Sequence, residues 1–356
     1  MLRHLIDLDD FTAEDWKSVV RMAIDIRTNP DLYWDRCRGK ILATLFYEPS
    51  TRTQMSFQAA MLRLGGRIIG FDNPMNSSVS KGETLRDTIR IISGYSDVIA
   101  IRHPLDGSAR AASFYSSCPI INAGDGSHLH PTQTLTDLVA LTYHNGTVEN
   151  LTVGICGDLK YGRTTHSLIK VMCKFGCSFV FISTPQLAPP DYIKDYITDS
   201  GCSYAEESDL ELAIPKLDVL YMTRIQKERF RSEAEYLKQK DSYVLDMPKL
   251  NHAKPSLKIM HPLPRVDEID IRVDDDPRAI YFDQAVCGMY ARMALIVHML
   301  SSRSMLEAPP PAPETVLQED FQCGNEKCVT RTEKYLPHRF VKHGDGYACE
   351  YCERKV

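Results

Sequence analysis

The 356-residue chain has no apolar run long enough to cross a bilayer. Its first residues, MLRHLIDLDDF, place acidic side chains where a signal peptide needs an apolar stretch, so the expected location is cytoplasmic. Positive charge is not in surplus: 42 Lys and Arg against 47 Asp and Glu leave a formal net charge of -5. That balance excludes a generally basic, nucleic-acid-coating surface, although a local cluster of arginines can still hold small anions. Also missing are a Walker loop, a dinucleotide fingerprint and a protein nucleophile beside its base. Neither membrane nor nucleic acid is therefore an expected partner. With 43% hydrophobic and 25% charged residues, the remaining class is an ordinary folded protein of two or three domains.

The 11 cysteines divide unevenly. Those from Cys37 to Cys287 are scattered singly, and Cys156, Cys173 and Cys177 read as small buried hydrophobes without a catalytic role. The others crowd into the C-terminal end as Cys323, Cys328, Cys349 and Cys352. Two close pairs of thiols match a closed tetrahedral Cys₄ zinc site, and a reducing compartment disfavours two disulfides. His338 and His343, between the pairs, are weaker alternative ligands.

Between these extremes, Thr12 and Asp15 have capping-box spacing ahead of a helix with Trp16, Val19, Val20, Ala23 and Ile26 on one face. From Lys40 onward the apolar runs ILATLF, RIIGF, DVIAI and PIINAG alternate with helical patterns. A second series, LTVGICGD, SFVFIST, DVLYMTR and LKIMHPL, repeats the alternation after a helical stretch from Gln133 to Tyr143. The fold class is α/β: two doubly wound parallel-sheet domains joined by helices, with the active site expected between them beyond the strand ends. A last apolar helix near Ala285–Leu300 precedes EAPPPAPE, which cannot continue a helix and acts as a spacer.

The strand ends carry the polar chemistry. Ser50, Thr51, Arg52 and Thr53 follow ILATLF and precede a helix expected from about Gln54, a combination suited to phosphate. The same residues also suit an ordinary Ser/Thr cap with Arg52 in a surface ion pair. Ser77 and Lys81 lie on a glycine-containing loop, and Arg102-His103-Pro104 follows DVIAI. His130 and Gln133 begin a helix after Asn122-Ala123-Gly124-Asp125-Gly126, whose glycines allow backbone to approach a ligand. In the second series, Arg163 and Arg224 stand at strand ends and suit bidentate binding of carboxylates. The stiff loop His261-Pro262-Leu263-Pro264-Arg265 presents carbonyls. One half thus suits phosphate and the other carboxylate, which points to direct transfer from a phosphorylated donor to an acidic acceptor.

Taken in order, FYEPSTRT, SVSKGETL, RHP, NAGDGSxxHPTQTLTDL, GDLKYGRT, TRIQKER and HPLPRVDEI resemble the motif set of the aspartate carbamoyltransferase family over roughly residues 1–305. That resemblance implies transfer of a carbamoyl group from carbamoyl phosphate to L-aspartate, in pyrimidine biosynthesis. It implies a carbamoyl phosphate-binding domain of residues 1–145 with 286–306 and an aspartate-binding domain of residues 146–285. Carried to matching positions, it implies that Ser50, Thr51, Arg52, Thr53, Arg102, Ser77 and Lys81 hold the phosphate. Thr53, Arg102 and His130 form an oxyanion hole, and Gln133 orients the carbamoyl NH₂. Lys81, Arg163, Arg224 and Gln226 bind aspartate, and the Pro262 and Leu263 carbonyls orient the reacting groups. Because Ser77 and Lys81 reach in from a neighbour in this family, a homotrimer or a multiple of trimers is implied, and no metal takes part in catalysis.

After a Pro-rich linker at 307–319, residues 320–356 resemble the zinc domain of the family's separate regulatory chain. Its nucleotide-binding domain has no counterpart here. The fused module is expected to dock on catalytic domains and stabilise or link trimers, with Zn²⁺ supplying much of its folding free energy. Two other readings compete: a related transferase with a different acidic or amino acceptor, and an inactive scaffold whose module binds a protein partner.

Overall fold

A computed structural model describes residues 4–225, 243–301, 315–317, 321–343 and 346–355. The chain forms two compact units, Met1–Thr132 with Met289–Val356 (unit 1) and Gln133–Gly288 (unit 2).

In unit 1, α1 (Ala13–Thr28) begins with a complete Thr12/Asp15 capping box and buries Trp16, Val19, Val20, Ala23 and Ile26, the face given by the sequence pattern. Then follow β1 (Ile41–Phe46), α2 (Thr51–Arg63), β2 (Arg67–Phe71), α3 (Leu85–Tyr95), β3 (Val98–His103), α4 (Ser108–Ser113) and β4 (Ile120–Asp125). The strands form a sheet in the order β2-β1-β3-β4, paired in parallel throughout. A parallel ladder requires crossovers, and the intervening helices supply them. Because β1 sits beside β3 with Phe46 opposite Arg102, the ends of these strands deliver their loops side by side.

Unit 2 contains most of α5 (Pro131–Asn145), then β5 (Thr152–Cys156), α6 (Arg163–Cys173), β6 (Ser178–Ile182), α7 (Asp191–Asp199), β7 (Tyr204–Glu207), α8 (Leu210–Ala213), β8 (Val219–Met222), α9 (Met247–Leu250) and β9 (Lys258–Met260). Its parallel order is β7-β6-β5-β8-β9. Strand β7 has no counterpart in the sequence reading. Its residues, YAEE, lie at the sheet edge and are largely exposed, so they carry no apolar run to announce them. The helix α10 (Tyr281–Ser301) returns the chain to unit 1. Among the described residues no helix is long and apolar enough to cross a membrane.

The C-terminal module is part of unit 1. Its antiparallel sheet joins β10 (Thr315–Leu317), β11 (Arg339–His343) and β12 (Gly346–Cys349). Residues 315–317, read as spacer from sequence, are thus its first strand. The proline content upstream masked a pairing that only β11 supplies. The module shares one apolar core with the helices beside β3: Ile89, Ala109 and Ala112 pack with Val329, Leu336, Phe340 and Tyr351. Asp106 is the polar hinge of this contact. Its N–H donates to Lys327 O and its carbonyl accepts from Val329 N, each at 2.9 Å, while its carboxylate accepts from Asn325 Nδ2 at 2.8 Å. Gly107, at φ +82°, lies so close to the module that an added Cβ would fall 2.5 Å from the Tyr351 carbonyl.

Candidate active site and metal centre

The phosphate-suited loop begins one turn earlier in the helix than its sequence suggests. Helix α2 starts at Thr51, so Thr51, Arg52 and Thr53 are its first turn, with Ser50 as N-cap. Unlike Thr12 and Thr84, which cap their helices through side-chain oxygens, Ser50 makes no side-chain capping bond. A helix start with uncapped N–H groups is a ready receptor for an anion.

Beside it, at the end of β3, Arg102 is largely buried. Its Nη2 meets Glu48 Oε1 at 2.7 Å, and its Nη1 donates to Ala123 O at 3.3 Å and lies 3.4 Å from His130 Nε2. Its buried Nε has no hydrogen-bond partner among the described residues. Burial lowers the Arg102 pKa and Glu48 opposes that effect, so an additional anion here would stabilise the cation. Gly124, at φ +116°, clears this spot: a Cβ there would stand 2.9 Å from Arg102 Nη1 and 3.3 Å from His130 Cδ2. The rest of the NAGDG loop is scaffolding. Buried Asp125 accepts from Asn122 Nδ2 at 3.0 Å and from Gly107 N at 2.8 Å. His103 is half-buried, with its pKa lowered to about 4 by desolvation, and its Nδ1 accepts from Leu105 N at 3.1 Å, so it shapes the turn.

Ser77 and Lys81 stand apart from this cluster in their hydrogen bonding. Ser77 Oγ donates to Pro74 O at 2.7 Å and accepts from Val79 N at 3.3 Å. Lys81 is exposed and its side chain makes no hydrogen bond or ion pair among the described residues.

Unit 2 contributes three loops. After β5, buried Asp158 accepts from Tyr161 N at 3.0 Å, shaping the turn that leads to Arg163 as the first residue of α6. Thr223 Oγ1 ties the neighbouring strand end to it, accepting from Asp158 N at 3.1 Å and donating to Cys156 O at 2.9 Å. Arg163 and Arg224 thus emerge from loops joined by a hydroxyl; Gln226 lies outside the described residues.

The third loop follows β9. His261 Nδ1 accepts from Leu263 N at 2.8 Å, so Nε2 carries the proton and donates to Glu268 Oε1 at 2.8 Å. Burial alone would raise the Glu268 pKa, but hydrogen bonds from His261 and the loop backbone hold it below the usual range. Leu263 adopts φ +51°, uncommon for a branched side chain, and precedes a cis proline. Neither the Pro262 nor the Leu263 carbonyl accepts a hydrogen bond among the described residues. Arg265, by contrast, is consumed structurally by Asp274 and Tyr281.

Asp137 and Gln284, which the sequence reading did not single out, connect this loop to Gln133. The buried Asp137 carboxylate accepts from Gln133 Nε2 at 2.8 Å, Gln284 Nε2 at 2.6 Å and Tyr221 Oη at 3.0 Å. Gln284 Oε1 in turn accepts from His261 N at 3.0 Å. Polar residues inside apolar helical stretches were the available signal.

In the module, the Sγ atoms of Cys323, Cys328, Cys349 and Cys352 are buried and lie within 4.8 Å of one another; His338 is not in the group. The Cys323–Cys352 and Cys328–Cys349 separations are 3.5 and 3.9 Å, far beyond a disulfide bond. Tetrahedral coordination with metal–sulfur bonds of ~2.3 Å sets sulfurs roughly 3.8 Å apart, so the four fit such an ion. Asn325 N donates to Cys323 Sγ at 3.4 Å and Thr330 Oγ1 to Cys328 Sγ at 3.2 Å, the outer-shell bonds that orient thiolates. Cys156 and Cys177, in contrast, are buried outside any such group; desolvation pushes the Cys177 thiol up to about 11, which leaves it inert.

Comparison with known proteins follows the same division. Residues 3–143 match the family model of the aspartate/ornithine carbamoyltransferase carbamoyl-P binding domain, and 149–299 that of the Asp/Orn binding domain. Residues 315–356 match the metal binding domain of the aspartate carbamoyltransferase regulatory chain. The chain is 54% identical over 300 residues to an aspartate carbamoyltransferase catalytic subunit of Clostridium perfringens, covering 84% of this chain and 98% of that one. To the corresponding subunit of Clostridium botulinum it is 56% identical with the same coverage. Among solved structures, the catalytic subunit of M. jannaschii aspartate transcarbamoylase superposes with a TM-score of 0.80 at 44% identity, covering 85% of this chain and 99% of that one. The Trypanosoma cruzi enzyme, solved with carbamoyl aspartate and phosphate, gives 0.77 at 36% identity, covering 83% and 95%.

Proposed function

The chain belongs to the aspartate carbamoyltransferase family, and from that premise we propose how its residues divide the work. The activity is transfer of the carbamoyl group of carbamoyl phosphate to L-aspartate, giving N-carbamoyl-L-aspartate and phosphate. Ser50, Thr51, Arg52 and Thr53, with Arg102, hold the phosphate; the uncapped start of α2 beside a buried guanidinium is the observation that carries this reading. Arg163, Arg224 and Gln226 bind the carboxylates of aspartate, with Lys81. As the neutral amine attacks, charge grows on the carbonyl oxygen and is met by Thr53, Arg102 and His130. Gln133 and the Pro262 and Leu263 carbonyls hold the carbamoyl NH₂ and the amine, supported by the absence of other acceptor duties at those carbonyls among the described residues. Phosphate leaves with its electron pair and can take the amine proton, so positioning and electrostatics carry the rate.

Assembly and metal complete the proposal. A Lys81 side chain without a partner among the described residues, and exposed Trp34, Met55, Leu62, Ile69 and Met75 on and around α2 and β2, favour a homotrimer in which Ser77 and Lys81 serve a neighbouring site. The Cys₄ group would hold Zn²⁺, which supplies folding free energy to a module with a small core. A cytoplasmic location suits reduced thiols. The direct test is product formation from labelled carbamoyl phosphate with aspartate and a panel of other acceptors. Aspartate alone should be carbamoylated, and His130→Ala should lower kcat about 10²–10³-fold with little change in the aspartate KM; equal use of other acceptors would refute the specificity.

A further inference from the structure

The C-terminal module touches unit 1 at a second place, the first turn of α3. Glu333 Oε1 accepts from Leu85 N at 3.2 Å, and Tyr335 Oη accepts from Arg86 N at 2.9 Å. Leu85 and Arg86 are the first residues of that helix, and Thr84 Oγ1 accepts from the next N–H, Asp87, at 3.2 Å. The module therefore supplies two of the three caps at this helix start, one of them a carboxylate, the charge favoured there. The Arg86 guanidinium also stacks 4.5 Å from the Tyr335 ring centroid.

What precedes the helix gives the contact its meaning. The loop bearing Ser77 and Lys81 runs directly into α3, and most of it is exposed. Its hydrogen bonds are local: Ser77 to Pro74, Ser80 to Ser77, Gly82 to Val79, Glu83 to Ser78. Such a loop has little to aim it except its two ends, and the end nearer Lys81 is the turn clipped by the module.

We propose that Glu333 and Tyr335 are positioning residues for carbamoyl phosphate binding, setting the loop that carries Ser77 and Lys81 by capping the start of α3. The inference rests on the assignment of Ser77 and Lys81 to carbamoyl phosphate made above. It gives the fused module a task within its own chain.

The test uses the full metal-loaded chain and compares Glu333→Ala/Tyr335→Phe, Glu333→Gln and Lys81→Ala. The double variant should raise the carbamoyl phosphate KM about tenfold, equivalent to about 1.4 kcal/mol. Metal content and assembly mass should stay as in the parent, and the amides at the start of α3 should exchange faster. Glu333→Gln, whose amide oxygen can still accept from Leu85 N, should bring KM back to within about twofold of the parent. An unchanged KM despite faster exchange overturns the proposal. If Lys81→Ala raises KM and the double variant does not, the capping role fails while the phosphate assignment stands; if Lys81→Ala also leaves KM unchanged, that assignment fails and the proposal with it. Should the double variant not fold, Tyr335→Phe keeps the ring packing and removes one acceptor. A two- to threefold rise in KM is then expected, and no rise overturns the inference.

Discussion

In unit 1, the groups suited to phosphate are a helix start without a side-chain cap and a buried guanidinium whose Nε has no hydrogen-bond partner among the described residues. In unit 2, the loop that bears the Pro262 and Leu263 carbonyls is held by a buried chain of hydrogen bonds from Glu268 through His261 and Gln284 to Asp137. The first arrangement leaves electrostatic capacity to be completed by a charged ligand. The second spends buried polar groups on fixing a backbone that carries no net charge. A charged donor attracts cations through its own field, whereas a neutral carbamoyl group has too little field to do so and needs partners already in place.

The largest test of this contrast is Arg52→Ala, which should abolish measurable turnover, a loss of roughly 10³-fold or more, and weaken carbamoyl phosphate binding. Near-normal kinetics would reduce the helix start to an ordinary cap. Next is Gln284→Ala, which strips a donor from Asp137 and the acceptor from His261 N, each loss worth roughly 1–3 kcal/mol. Turnover should fall about 10- to 100-fold through misaimed carbonyls. A change confined to the carbamoyl phosphate KM would show that the unit 2 network does not aim the loop.

Chelation has a smaller expected effect on the reaction and a clear one on the fold. Removing metal should release one zinc per chain and unfold the module, exposing Phe340 and Tyr351 to solvent, as read by intrinsic fluorescence and metal analysis. Retention of the folded module after metal loss would contradict its dependence on the ion. The smallest effect concerns acid stability. Because Glu268 is held below the ordinary glutamate value of about 4.3, its contribution is fully present above that pH and is lost as pH falls through the lowered value. Glu268→Gln should therefore flatten the pH dependence of unfolding free energy below pH ~4, measured by denaturant titration; an unchanged slope would mean the pair adds no linkage.

Much of the candidate site was legible because the chemistry of strand ends is local. Arg102, His130, Gly124 and the Ser50–Thr53 turn could be singled out by residue type and by position after an apolar run. The start of α2 was placed too late, since Thr and Arg in a first turn look like loop when the cap residue itself is unknown. Asp137 and Gln284 were missed because a buried polar residue in an apolar helix has meaning only through its partners, which come from segments about 147 residues apart.

By itself the sequence determined the two parallel α/β halves, the boxed start of α1 and the paired cysteines at the C-terminus, all features whose physics is periodicity or short spacing. Tertiary structure alone decided that β7 is an edge strand, that residues 315–317 belong to the module's sheet and that the module lies on its own chain at Asp106 and the start of α3. Those outcomes depend on which backbone N–H and carbonyl groups find partners across long sequence separations, and no local pattern of residues encodes such a pairing.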